Sequence, residues 1–108
     1  MTPLDKHSQD DICTVEVAGS LKALAHPVRL KMLKELQLSE MPCCGDICDC
    51  FPYSQSTVSQ HLSVLVDSGL VECRQDGNKT RYSLNHAAYA SLIDRLNQLV
   101  PISEKADH

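Results

Sequence analysis

The chain has one phenylalanine and no tryptophan, and aromatic residues make up only 4 % of its 108 positions. Its core must therefore come from Leu, Val, Ile and Ala, and a core so thin in aromatics gains stability from an interface with a second copy. No apolar run approaches the roughly 18 residues of a membrane span. Residues 1–11 are polar and acidic, without the basic start and apolar stretch of a secretory signal. These absences predict a cytoplasmic protein with no membrane partner. The length excludes a core plus a separate substrate cleft with its own lid. There are no internal repeats and no low-complexity tracts. Basic residues are few as well, 10 Lys and Arg against 14 Asp and Glu for a net charge of −4. That balance excludes a broadly basic nucleic-acid footprint, but a contact surface needs only local positive charge.

Cysteine is plentiful by contrast. Six are present, and Cys43, Cys44, Cys48 and Cys50 fall within one short stretch. The cytoplasm keeps thiols reduced, so the six read as ligands or redox groups and not as a disulfide framework. A Cys-x-x-Cys pair and a βαβ pattern, the marks of a thioredoxin-like reductase, are both missing. No enzyme and no catalytic cofactor is expected.

Residues 1–10 read as a flexible N-terminal tail, 11–100 as one domain for DNA binding and dimerisation, and 101–108 as a C-terminal tail. From about Asp11 to Ala25 apolar residues recur at Ile12, Val15, Ala18, Leu21 and Leu24, a helical spacing. Pro27 suits the first position of a second helix to about residue 37, carrying Val28, Leu30, Leu33 and Leu36. A short helix is predicted over Cys44 to Phe51, with Ile47 and Phe51 marking its buried face. Ser54 is a good N-cap for the next helix, with Val58, Leu62 and Leu65 as its core stripe and Gly69 as its left-handed stop. Leu70–Gln75 and Lys79–Leu84 are strand-like runs joined by Asp76-Gly77-Asn78, a strong hairpin signal. A last helix over about 86–99 places Ala88, Leu92, Leu96 and Leu99 on one side. The stripes of the first and last helices exceed what one small core can cover, which predicts a two-fold homodimer.

The expected fold is thus mainly α with a β-hairpin wing, a winged helix-turn-helix. In helix-turn-helix proteins the second helix enters the major groove with its N-terminal residues on base edges. Gln55, Ser56, Thr57, Ser59 and Gln60 occupy that end. Gln can pair bidentately with adenine, and Ser and Thr can bond bases or phosphates. Arg74, Lys79 and Arg81 on the wing are expected to hold the backbone of double-stranded operator DNA or to reach its minor groove. His61, on the Val58–Leu62–Leu65 side, is expected to be a hydrogen-bonded, partly buried histidine.

Two stretches carry a resemblance to a known family. Leu21-Lys22-Ala23-Leu24-Ala25-His26-Pro27-Val28-Arg29-Leu30 resembles the opening of the ArsR/SmtB metalloregulators. Ser54-Gln55-Ser56-Thr57-Val58-Ser59-Gln60-His61-Leu62, with Leu65, Gly69-Leu70-Val71 and the hairpin through Tyr82-Ser83-Leu84, resembles their reading helix and wing. The resemblance implies homodimeric, operator-binding repression. One arsenic-responsive pattern in that family is Cys-Val-Cys-Asp-Leu-Cys, and the window here is Cys43-Cys44-Gly45-Asp46-Ile47-Cys48. The outer cysteines and the Asp match, while the middle cysteine has moved one place earlier. Cys44 and Cys48, four apart, share a helix face. Cys43 points away and joins them only if the first turn loosens, beside Pro42 and Gly45.

The resemblance therefore implies As(III) or Sb(III) as inducer, held by Cys43, Cys44 and Cys48. Cys50 and Cys13 are weaker candidates, Cys13 by reaching across the dimer. A helix N-terminus is expected to lower the thiol pKa values, and Cys73 is expected to be structural. Cd(II), Pb(II) or Zn(II) on a four-sulfur site, or thiol oxidation, remain open alternatives. The family's second site, zinc on Asp and His of the last helix, finds only His86 and Asp94, without the paired spacing. Its persulfide sensors need a cysteine in that helix, which has none.

Overall fold

The computed structural model describes residues 8–101, with side chains from Cys13 onward. The predicted tails fall largely outside the described residues, although the first helix already begins at Ser8. The order is α1 (Ser8–Leu24), α2 (Pro27–Leu38), α3 (Cys44–Cys48), α4 (Gln55–Asp67), β1 (Val71–Asp76), β2 (Lys79–Leu84) and α5 (His86–Leu99). This is the expected winged helix-turn-helix.

The main core is aliphatic. Val28, Met32, Leu33 and Leu36 of α2 meet Ile47 of α3, Val58, Leu62 and Leu65 of α4, and Val71 of β1. Within α2, Met32 takes the core place expected of Leu30, which is 52 % exposed. A second cluster joins α1 to α5 through Val17, Leu70 and Leu92, with Cys13, Leu24 and Ala88 against it. In α1 the core face is therefore Cys13, Val17 and Leu24. The stripe with Val15 and Leu21 lies outside, at 71 % and 38 % exposed. Helix α1 is apolar on two sides, and spacing alone does not say which one its own chain covers. The predicted α5 stripe divides likewise. Leu92 and Ala88 face inward, whereas Leu96 and Leu99 are exposed, as is Ile93 outside that stripe.

Chain punctuation explains the boundaries. His26 caps α2, its Nδ1 accepting from Val28 N at 3.1 Å. Gly69 takes φ 85° after α4, and Gly77 takes φ 65° in the hairpin, where Asp76 pairs with Lys79 across a two-residue turn. Both are conformations that glycine adopts without a Cβ penalty. Asn85 accepts from Ala88 N to cap α5, and its amide donates to Gly69 O at 3.1 Å. That bond fixes the base of the wing to the end of α4. Arg95 and Glu16 pair at 2.8 Å between α5 and α1.

Candidate functional site

Helix α3 is shorter than the sequence predicts, ending at Cys48 instead of Phe51. Pro52 disfavours helical geometry at Phe51, and Asp49 to Tyr53 turn the chain into α4. Phe51 still packs on the main core, along with Cys44 and Cys48. These two thiols thus lie on one side of α3, partly buried, and close enough that the charge on Cys48 bears on Cys44. Cys48 Sγ is 3.5 Å from Tyr53 O. Burial pushes the Cys44 thiol up, and its neighbours Cys48 and Cys43 add to that. The expectation of a lowered pKa is therefore corrected at Cys44: five residues of helix supply little dipole, and desolvation wins.

Cys43 is not in the helix. It is the N-cap, with φ −86° and ψ 172°. Its N–H donates to Asp46 Oδ2 at 3.1 Å, and its thiol lies against the same carboxylate. Those two bonds, the backbone one first, hold Asp46 below the usual carboxylate range, helped by the charges of Arg81 and Lys79. Among the described residues no three Cys, His, Asp or Glu side chains are gathered as a metal would need. Cys44 and Cys48 share one side of α3, and Cys43 stands beside them as its N-cap.

The remaining cysteines are dispersed. Cys50 is exposed, its Sγ 3.6 Å from Asp46 O, and burial followed by the nearby Glu35 pushes its thiol up. Cys13 sits in the α1–α5 cluster. Cys73, predicted to be structural, is exposed on β1 opposite Tyr82.

Helix α4 begins directly after this segment. Ser54 Oγ accepts from Thr57 N at 3.2 Å and donates to Thr57 Oγ1 at 3.0 Å. Thr57 is consequently half-buried within the cap, while Gln55, Ser56, Ser59 and Gln60 are exposed on one continuous surface. His61 is half-buried as expected. Its Nδ1 is 3.2 Å from Arg29 Nη1, and its ring centroid is 4.5 Å from that of His26. This meeting of His26 and His61 depends on how α2 crosses α4.

On the wing, Arg74 and Lys79 are exposed. Arg81 is turned inward. Its Nε donates to Asp76 Oδ2 at 2.9 Å and its Nη1 to Met41 O at 3.1 Å. Asp76 also raises its pKa.

Comparisons with known proteins agree with this geometry. A profile of the bacterial regulatory proteins of the arsR family matches residues 26–72. The arsenical resistance operon repressor of Staphylococcus aureus is 43 % identical over 82 residues, covering 76 % of this chain and 78 % of that one. An ArsR-like transcriptional regulator from Rhodococcus superposes with a TM-score of 0.72 at 26 % identity, over 80 % of each chain. The homodimeric winged helix-turn-helix DNA-binding domain of a possible ArsR-family regulator from Mycobacterium bovis gives 0.67 at 31 % identity. It matches over 81 % of this chain and 79 % of that one.

Proposed function

From the premise that this chain belongs to the arsR family of bacterial regulatory proteins, as a transcriptional repressor and not an enzyme, we propose that it binds operator DNA as a homodimer and releases it when trivalent arsenic or antimony binds Cys43, Cys44 and Cys48. The observation that carries this is the pair Cys44 and Cys48 on one side of a five-residue helix, directly ahead of α4.

Thiolates without imidazole or carboxylate partners select soft ions. Trivalent arsenic takes three sulfurs in a pyramid. Each thiol that binds arsenous acid forms one As–S bond and breaks one As–O bond, and the thiol proton leaves with the hydroxide as water. Complete binding therefore displaces three waters and releases no net proton. A divalent cation such as Cd(II) instead expels the thiol protons into solution. Closing the third bond requires Cys43 to leave Asp46, which unties the start of α3.

Gln55, Ser56, Ser59 and Gln60 enter the major groove, Thr57 positions the helix start, and Arg74 and Lys79 meet phosphates. The exposed Val15, Leu21, Tyr89, Ile93, Leu96 and Leu99 of α1 and α5 form an isologous interface. That symmetry sets the operator half-sites one helical turn, about 34–36 Å, or a multiple apart.

The test is fluorescence anisotropy of the reduced protein on a duplex that it enriches from random sequence, titrated with arsenite, antimonite, cadmium and zinc. Arsenite and antimonite should release the duplex with midpoints independent of pH between about 6 and 8, below the thiol range. Cadmium should bind more tightly as pH rises. Release by cadmium alone would reject the arsenic assignment, and a monomeric mass by light scattering at micromolar concentration would reject the dimer.

A further inference from the structure

The wing and the thiol segment are physically joined. Tyr82 N donates to Pro42 O at 2.9 Å, and Cys43 forms an isolated antiparallel bridge with Arg81. Strand β2 therefore continues its pairing onto residues 42–43, just ahead of α3. Around that bridge the Arg81 guanidinium reaches in three directions. It donates to Met41 O, pairs with Asp76 at the wing turn, and lies 3.9 Å from Asp46 Oδ2. That Asp46 oxygen also accepts from Cys43 N. Met41 adopts φ 47°, the left-handed region that a side chain disfavours, so a tertiary contact must hold it there. The Arg81 bond to its carbonyl is such a contact.

Arg81 thus touches the residue two before Cys43 and the residue three after it, while its own backbone bridges Cys43. Its side chain is 30 % exposed, whereas its cross-strand neighbour Arg74 lies out in solvent. An arginine kept for phosphate would be turned out like Arg74.

We propose that Arg81 is a positioning residue that couples the thiol segment to the wing, and not a phosphate contact. This rests on the thiol-switch reading above. When Cys43 moves to join Cys44 and Cys48, it leaves both its bridge to β2 and its bond to Asp46. Arg81 then loses its backbone bridge to Cys43 and the fixed position of Asp46, and the brace it gives Asp76 at the hairpin turn loosens. The ion signal leaves α3 by two routes, forward into α4 and sideways into the wing.

Three variants test this: Arg81→Ala, Arg81→Lys and Lys79→Ala. Lysine keeps the charge that a phosphate contact needs but lacks the planar fork that joins Met41 to Asp76. Three quantities are read: alkylation of Cys43 by iodoacetamide in the free reduced protein, the salt slope of duplex binding, and the ratio of arsenite affinities with and without bound duplex. By linkage that last ratio equals the effect of arsenite on DNA affinity, for which couplings of about 5–150-fold are usual. Both Arg81 variants should alkylate faster at Cys43, and their coupling ratio should fall toward one. Arg81→Lys should keep the parental salt slope, whereas Lys79→Ala should flatten it by about one unit. Parental Cys43 alkylation in both Arg81 variants overturns the proposal. So does a salt slope lost in Arg81→Ala and restored in Arg81→Lys at parental coupling. If the parent takes up no arsenite, the thiol-switch reading fails, and the alkylation arm, which needs no ion, still decides whether Arg81 holds Cys43.

Discussion

Helix α4 runs for 13 residues from a serine cap to a glycine stop, with Val58, Leu62 and Leu65 fully enclosed. Helix α3, just before it, has 5 residues, one enclosed side chain in Ile47, and a cysteine at its cap. Both sit on the same core, yet their stability has different sources. A helix of three turns with a continuous buried stripe is held along its length. One of five residues lies far below the roughly 12–15 needed for even marginal stability alone. It persists through Ile47 and through the Cys43–Asp46 bond at its start. Helix α4 is held along its length, whereas α3 depends on its cap and on one enclosed side chain.

That contrast breaks most visibly at the thiols. Cys44→Ser and Cys48→Ser should bind operator like the parent and ignore arsenite. The shift they forgo is large, since moving an equilibrium from 1:99 to 99:1 takes about 5.5 kcal/mol. Cys43→Ser should lose the arsenite response yet keep some response to methylarsenite, which has two positions to fill, and Cys73→Ser should match the parent. An arsenite response surviving in Cys48→Ser, measured by anisotropy, would falsify the site and direct attention to Cys13 and Cys50.

Next in size is the reading surface of α4. Gln60→Ala should lose roughly 1–3 kcal/mol at particular base pairs while leaving other sequences unaffected. Competition against a panel of single-base operator variants measures this. A uniform loss across the panel would mean that Gln60 touches backbone.

The caps give a smaller effect of opposite sign. Ser54→Ala should lower stability by about 0.5–2 kcal/mol, because serine is a preferred N-cap. Cys43→Ser installs that preferred residue on α3 and should leave the melting temperature equal or higher. If both variants lose stability alike in thermal melts, the contrast between a strong and a yielding cap is wrong.

The smallest effect belongs to the tie between α4 and α2. Burial first, then the charges of His26 and Arg29, holds His61 below the ordinary histidine range of about 6.5. The unfolded chain therefore takes up the proton first as pH falls. Stability present above that value is lost as pH drops through the lowered folded one. His61→Gln should flatten the acid side of a melting-temperature profile taken between about pH 7 and 5. An unchanged slope would show that His61 is not the group titrating there.

Where the periodic signal was long and the stop residues were strong, structure was legible in the chain. Helix α4 shows this: apolar residues at helical spacing, Ser54 before them and Gly69 after them leave one arrangement. The hairpin shows it too, because Asp76-Gly77-Asn78 marks the turn, although Asp76 itself pairs with Lys79 and belongs to β1. Helix α3 was harder to read. Phe51 continues its apolar pattern but belongs to the turn, since burial does not require helix and Pro52 discourages it. In helix α1 the predicted stripe divides, with Leu24 packed inward and Val15 and Leu21 left outside.

The sequence by itself determined the winged helix-turn-helix, the order of its elements and the run of thiols ahead of α4. Those are local matters of spacing, caps and turn residues, set by neighbours within a few positions. Only the tertiary structure decided that Cys43 bridges Arg81 of β2, and that Arg81 reaches back 40 residues to Met41. It alone decided that His61 meets Arg29 and His26. A side chain's partner across the fold depends on how whole elements cross, and no pattern along one strand or one helix encodes that crossing.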